Sequence, residues 1–373
     1  MKQKVAVIGA SYLQLPLVKK AKELGIETHC FAWEEDAICK DIADFFYPIS
    51  IIEKDKILEK CKQIKIDGVL SIASDAAVPT VCYIADKLHL TANDIDSVEN
   101  TTNKYLMRKK FIEQEVNSPK FIFAVDNNYA LNGLNFPLIV KPTDRSGSRG
   151  VMKIESPDQL EPAILRARNE SFSKTAIIEE YIDGSEVSVE TISWQGQHFI
   201  LAITDKVTTE SPYFVELEHH QPSMLPMEIQ DKIKKETLKA LNALKINYGA
   251  SHSEFKISKE GNVYVIEIGA RMGGDFIGSD LVYLSTGYDF LKGVIDVALG
   301  NFKIPDLADK KFSGVYFLTE HTKEKVLPII LNKESDKNII VGEMLQTYFR
   351  PHVECSADRN GYFIYQSEAK ILL

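Results

Sequence analysis

The sequence lacks the features that would tie it to a disulfide framework, a zinc site or a membrane. Its 373 residues hold five cysteines (Cys30, Cys39, Cys61, Cys82 and Cys355), scattered without CxxC spacing. An odd, dispersed set of this kind is expected to be reduced, mostly buried thiols. No apolar run approaches the ~18 residues of a membrane span. The opening stretch "MKQKVAVIGASYLQLPLVKK" superficially resembles a secretory leader, but Gly9, Ser11 and Gln14 break its apolar run and no small-residue cleavage site follows. The cytoplasm is the default location. A basic excess is also missing: 44 Lys and Arg against 53 Asp and Glu give a net charge of −9. That disfavours a sequence-independent nucleic-acid binder, and neither nucleic acid nor membrane is expected as a partner. Two glycine signatures are absent as well. The turn "GASYLQ" after the first strand has one glycine where GxGxxG needs three, so a dinucleotide pyrophosphate has no backbone to approach. The GxxxxGK[ST] phosphate loop occurs nowhere. No internal repeat, low-complexity tract or long linker interrupts the chain.

What is present reads as an α/β chain of two or three domains. "KVAVIGA", a helical "LPLVKKAKELG" and "IETHCFAW" form a βαβ unit. With "GVLSIAS" at 68–74, residues 1–95 predict an N-terminal Rossmann-like domain with an open parallel sheet. Residues 96–304 read as short strands with turn signals between them, and amphipathic helices. "NFPLIVKPTDRSGSRGVMKI" reads strand, glycine-rich loop, strand. Thr101 or Thr102 is expected to cap one helix, and Ser156 with Gln159 to form a capping box for another. Residues 305–373 alternate short apolar strands with polar turns and predict a small β-rich C-terminal domain. It has no readable motif, and its expected role is to close a substrate pocket or to form a homodimer.

Residues 251–274, "SHSEFKISKEGNVYVIEIGARMGG", form two hairpin arms. With the turn centred on Glu260 and Gly261, Phe255 is expected to meet Ile266, and Ile257 to meet Tyr264, on an apolar face. Glu254 then faces Glu267, and His252 faces Gly269, on the other. Directly opposed residues have Cβ atoms about 4.5–5.5 Å apart, where like charges repel. Two half-buried carboxylates there want a cation or a shared proton, and oxygen-only ligands suit Mg²⁺. An ordinary salt bridge, for instance to nearby Lys256, is the competing reading.

"KPTDRSGSRGV" (141–151) places Lys141 at a strand end, followed by Gly147 and Gly150 among small polar residues and two arginines. Backbone amides in such a turn can line phosphate oxygens while a lysine supplies point charge. A mobile solvated loop is the alternative. "EEYIDGSE" (179–186) offers the backbone of Glu180–Ile182 to an adenine edge and Glu186 to ribose hydroxyls. A solvated edge strand is the bland reading of the same residues.

Taken in order, these pieces resemble the ATP-grasp superfamily of carboxylate–amine ligases over most of residues 1–300. The fold implied is an ATP-grasp domain of two antiparallel-sheet subdomains, with a lid at about 120–185. The resemblance implies nucleotide contacts from Lys104 in "TTNKYLM", from Lys141, and from the lid residues Arg145, Ser146, Gly147, Ser148, Arg149 and Gly150. It also implies contacts from Glu179, Glu180, Tyr181, Ile182 and Glu186. Glu254 and Glu267 would be the metal ligands, and Arg271 the catalytic arginine near the transferred phosphoryl group. The implied cofactors are ATP and Mg²⁺, with Mn²⁺ as an alternative. One departure is plain: many members have E-x-N-P-R, and here Gly269 stands at the asparagine. "EIGAR" is nonetheless similar to the subgroup of bacterial L-amino-acid ligases. The stretch 203–223 is similar to one that carries a substrate-site histidine there, which makes His219 and His220 candidates. Gly273 and Gly274 would let substrate approach the backbone.

The implied activity is ATP-dependent activation of a small-molecule carboxylate as an acylphosphate, followed by attack of an amine, with an amino acid or peptide as substrate. Two other readings stand beside it. One is a carboxylase of this fold that uses bicarbonate. The other is a non-catalytic ATP-binding protein, to which the missing asparagine lends weight.

Overall fold

The computed structural model describes residues 2–125, 131, 133–209, 211, 213–308 and 311–373. In its first strand, β1 (Lys4–Ile8), Val5, Ala6, Val7 and Ile8 are all fully buried. A strand buried on both faces needs cover on both, which is the parallel arrangement. β1 pairs in parallel with β2 (Glu27–Phe31) and β4 (Gly68–Leu70), and β3 (Phe45–Tyr47) completes the order β3-β2-β1-β4. Val5 and Val7 pack with α1 (Leu15–Glu23), while Ala6 and Ile8 pack with α2 (Lys54–Ile64) and α3 (Val78–Leu88). The turn after β1 is filled from within. The Gln14 side chain accepts from the Ser11 N–H at 3.2 Å and donates to the Ile72 carbonyl at 2.8 Å. A Cβ on Gly9 would stand 2.8 Å from Gln14 Oε1. A side chain of the turn itself therefore occupies the space that a pyrophosphate would need.

Helices α4 (Ile95–Thr102) and α5 (Lys104–Glu113) follow. Asn103, rather than Thr101 or Thr102, caps α5, accepting from the N–H groups of Tyr105 and Leu106 at 3.0 and 3.2 Å. The threonines end α4 and bond back to its own carbonyls. The second sheet is antiparallel, in the order β5-β8-β6-β7: β5 (Phe121–Ala124), β6 (Leu138–Pro142), β7 (Met152–Ile154) and β8 (Ala176–Glu180). Helix α6 (Leu160–Glu170) covers it. The expected capping box at Ser156 does not form, because Gln159 accepts instead from the Glu155 N–H at 2.7 Å.

The third sheet has eight antiparallel strands in the order β13-β12-β9-β10-β11-β14-β16-β15. They are β9 (Gly184–Trp194), β10 (Gln197–Thr208), β11 (Glu216–Gln221), β12 (Gly249–Ser258), β13 (Val263–Gly269), β14 (Phe312–Leu318), β15 (Ile339–Met344) and β16 (Gly361–Ser367). The β-rich segment expected at 305–373 thus extends this same sheet. Alternation sets its two faces. Val187, Val189, Ile203, Phe255, Ile257 and Val265 form one core with α5 and α7 (Met227–Ala243). Their in-between neighbours, such as Glu186, Glu190 and Glu254, point the other way. Helices α8 (Val282–Thr286) and α9 (Phe290–Ala298) join this sheet to the first, and α10 (Lys323–Leu331) packs on the C-terminal strands.

The hairpin pairs His252 with Gly269 and Glu254 with Glu267 as expected, but a bulge follows. Phe255 meets Val265 and Ile257 meets Val263, not Ile266 and Tyr264. The extra residue is Ile266, whose carbonyl accepts from Arg108 Nη2 at 2.6 Å. An extra residue in one strand leaves its backbone without a ladder partner, and a buried arginine takes it up.

All five cysteines are free, and four are buried. Burial pushes the thiols up, to about 11 for Cys39 and about 12 for Cys61 and Cys82. Among the described residues no helix is long and apolar enough to cross a membrane.

Phe255 is fully buried in the core under β12. Phe255→Ala is therefore expected to destabilise the fold by about 3–5 kcal/mol. The readout is a lower urea midpoint at unchanged slope; a wild-type midpoint would remove this residue from the core.

Candidate active site

The polar face of the eight-stranded sheet and the end of the smaller antiparallel sheet enclose a cavity of about 190 Å³. Its floor is the centre of β9, β10, β12 and β13. Glu254 and Glu267 lie side by side there, and each is neutralised by a lysine from elsewhere in the chain. Lys206 on β10 reaches Glu254 Oε1 at 2.9 Å, and Lys104 at the start of α5 reaches Glu267 Oε1 at 2.8 Å. Lys256, the partner expected from local sequence, binds Glu186 at 3.1 Å instead. Burial favours a protonated Glu254, but Lys206 and His252 outweigh it and hold the carboxyl well below its ordinary range. Lys206 is buried among Glu186, Glu254 and Glu216, at 2.8, 2.9 and 3.7 Å. Burial works against its charge, yet the three carboxylates raise it well above its ordinary value.

The cavity roof is the strand end and loop after β6. Lys141 lies 2.7 Å from Glu179, which also holds Arg108 at 2.8 Å. Burial, the largest influence, pushes the Lys141 ammonium below its ordinary value despite Glu179. Arg145, Ser146, Gly147 and Ser148 line the cavity. Gly147 and Ser148 are both left-handed, with φ of 68° and 55°. Arg145 stacks on the Phe172 ring at 4.2 Å, and its Nε is buried without a partner among the described residues. Glu180, Tyr181, Ile182 and Glu186 line the far wall, beside apolar Ile139 and Ile266.

Arg271 closes the near end. Asp75, from the turn after β4, grips it through Nε at 2.9 Å and Nη2 at 3.0 Å. This pair explains Gly269. A Cβ there would stand 2.7 Å from Asp75 Oδ1 and 3.1 Å from Arg271 Nε, so the first sheet's aspartate fills the place of a side chain.

Several expected residues lie elsewhere. Arg149 is exposed and bonds its own loop at Ser146 O. Gly150 packs on Pro142 and Glu170. Gly273 is crowded by Glu190 and His252, at 2.5 and 2.7 Å from where its Cβ would be, so these side chains and not a substrate require the glycine. Gly274 faces Ala73 and Leu13. His220 points to the opposite side of the sheet, bonded to Tyr365 and Glu218, because neighbours in a strand alternate. His219 points to the cavity side, opposite Lys206 in register.

Sequence reasoning missed Lys206, Asp75, Arg108 and Glu190. A lysine in "LAITDKV" and a glutamate in "EVSVETIS" were the available signals, each a charge at the polar parity of a long strand. Glu190 is fully buried, accepts from the Gly273 N–H at 3.0 Å and pairs with His252 Nδ1. Burial works against the imidazolium, but Glu190 and then Glu254 raise His252 to about 9.

Residues 134–280 match the family model described as ATP-grasp domain. The alanine–anticapsin ligase of Bacillus subtilis is 28% identical over 271 residues, 63% of this chain and 57% of that protein, so the chain spans little more than half of that relative. The L-amino acid ligase of Bacillus licheniformis superposes with a TM-score of 0.79 at 24% identity, over 99% of this chain and 94% of that one. The phosphoribosylglycinamide synthetase of Anaerococcus prevotii superposes with a TM-score of 0.76 at 23% identity, over 99% and 95%.

The His252 charge has a signed consequence. A raised folded value stabilises the protein fully below the unfolded value near 6.5, and that contribution is lost as pH rises through about 9. The contribution is on the order of 3 kcal/mol. A proton-NMR titration, with His252→Gln for assignment, should find one imidazole titrating near 9. If all imidazoles titrate near 6.5, the Glu190 pairing is wrong.

Proposed function

We propose that this chain is an ATP-dependent ligase of the ATP-grasp kind, one that activates a carboxylate as an acylphosphate and joins it to an amine, with an amino acid or peptide as substrate. The observation that carries the reading is a cavity in which an anion-ready loop, two facing carboxylates and a half-buried arginine converge. Relatives with ligase names support it.

The donor set suits a hard cation. Lys206, Lys104 and His252 reach only Oε1 of Glu254 and Glu267, which leaves both Oε2 atoms without a partner among the described residues. No group of three metal-ligating side chains occurs among the described residues. Two carboxylates whose shell is completed by phosphate and water oxygens is the pattern Mg²⁺ prefers. When bound, Mg²⁺ supplies positive charge to phosphate oxygens. The unpartnered Arg145 Nε, Lys141 and the left-handed pair at 147–148 offer the phosphates their donors. The Glu180–Ile182 backbone and Ile139 offer the base its edge and a flat apolar wall.

Catalysis here is positioning and charge neutralisation. Arg271, oriented by Asp75, neutralises charge at the carboxylate end. A carboxylate oxygen takes the γ-phosphoryl group and ADP departs. The neutral amine nitrogen then bonds the acyl carbon, the bond from that carbon to the phosphate oxygen breaks, and the amine's proton leaves with the phosphate. Loop 143–151 shields the acylphosphate from water.

Wild-type protein with MgATP and a panel of amino acids should release ADP only when an acceptor acid is present, and should give a hydroxamate with added hydroxylamine. Glu267→Gln should lower that turnover by about two orders of magnitude or more, comparable to removing one strong electrostatic contact, when assayed well below its own urea midpoint, which the uncompensated Lys104 charge lowers. ADP release that requires bicarbonate, or no turnover with any acid, would sink the ligase reading.

A further inference from the structure

A bulge lets two consecutive residues of a strand share one face. In β13, Val265 and Ile268 are both fully buried in the core beneath the sheet. The two residues between them, Ile266 and Glu267, both line the cavity. Strict alternation would send only one of them there. The bulge thus sets an apolar side chain directly beside a carboxylate, and it takes the Ile266 backbone out of the ladder.

β13 is also the outermost strand of its sheet, so its outer backbone groups need cover. Helix α5 and the turn after it supply that cover. The Asn117 carbonyl accepts from the Val265 N–H at 2.8 Å. Lys104 and Arg108 are four residues apart and so share one face of α5. Lys104 takes the Glu267 carboxylate, and Arg108 Nη2 donates to the Ile266 carbonyl at 2.6 Å.

Arg108 is fully buried, the largest such side chain among the described residues. Glu179 balances its charge, 2.8 Å from Nε. Charge balance alone does not account for its place, because Glu179 also has Lys141 at 2.7 Å. Arg108 Nε, Arg108 Nη1 and Glu179 Oε1 have no hydrogen-bond partner among the described residues, so the pair meets as two charges and not as an aligned bond. The guanidinium's one hydrogen bond among those residues goes to the bulge carbonyl. Burying a guanidinium with nitrogens left unbonded is costly. What it secures is the geometry at Ile266 and Glu267. Because Glu179 lies on β8, the same side chain also spans from the smaller sheet to the cavity floor.

We propose that Arg108 is a positioning residue for the nucleotide: by holding the bulge carbonyl it fixes Ile266 as an apolar wall against the base and Glu267 beside the phosphates. This rests on the nucleotide part of the reading above and not on the identity of the acid or the amine. Arg108 touches no substrate; it acts through Ile266 and Glu267.

The test is a double-mutant cycle read by nucleotide affinity. Full-length wild type, Arg108→Lys, Ile266→Ala and the double variant are titrated with MgADP by calorimetry, each well below its own urea midpoint. A lysine keeps a positive charge for Glu179, but its single nitrogen does not replace the guanidinium fork that spans Glu179 and the carbonyl. Arg108→Lys is expected to weaken MgADP by about ten-fold or more, the scale of one hydrogen bond to a charged group. Ile266→Ala should weaken it as well. The double variant should bind within about three-fold of the weaker single variant, because both changes act on one wall. If Arg108→Lys does not fold, Arg108→Met takes its place in the cycle, since Glu179 then keeps Lys141. An arginine that only stabilises the fold would lower the urea midpoint and leave MgADP affinity at the wild-type value. That result, or losses that multiply in the double variant, overturns the positioning role and leaves the nucleotide reading standing. No MgADP binding by wild type overturns both.

Discussion

Glu254 and Glu267 face each other on adjacent strands, and two carboxylates that close cannot stay charged without cations. Much of the chain is arranged to supply them. Lys206 arrives from β10 and Lys104 from the first turn of α5, so the charge balance of one hairpin joins three elements far apart in sequence. Removing one partner of such a buried pair leaves an uncompensated charge, which costs far more than the pair itself contributes. The same logic repeats around the cavity, with Glu179 between Lys141 and Arg108, Asp75 against Arg271, and Glu190 against His252.

Asp75 shows how the first sheet takes part in the site. It comes from the turn beyond the C-terminal end of β4, where open parallel sheets present their functional loops. Its carboxylate orients Arg271 and occupies the space that a side chain at 269 would need. The absent asparagine is therefore not simply a lost ligand. The glycine is required by a contact between sheets.

The legible parts of the site were those with a local signature. Lys104, Lys141, Arg145 and the Glu180–Ile182 strand end lie in short patterned segments, and all line the cavity. The illegible parts depend on parity or distance. His219 and His220 are neighbours in sequence, but alternation sends one toward the cavity and the other to Tyr365. Gly273 read as room for a substrate, while the structure fills that room with Glu190 and His252. Arg149 has the composition of a phosphate ligand, yet its loop turns it to solvent.

By itself the sequence determined the opening βαβ unit and the facing of Glu254 and Glu267, because strand parity and turn chemistry are local. The tertiary structure alone decided which cations meet those carboxylates and where the hairpin bulges. It also decided that the C-terminal strands extend the eight-stranded sheet and bring Arg359 to Glu216 and Asp275. A buried charge takes its partner from whatever element packs over it, and the spacing of residues along the chain does not encode that choice.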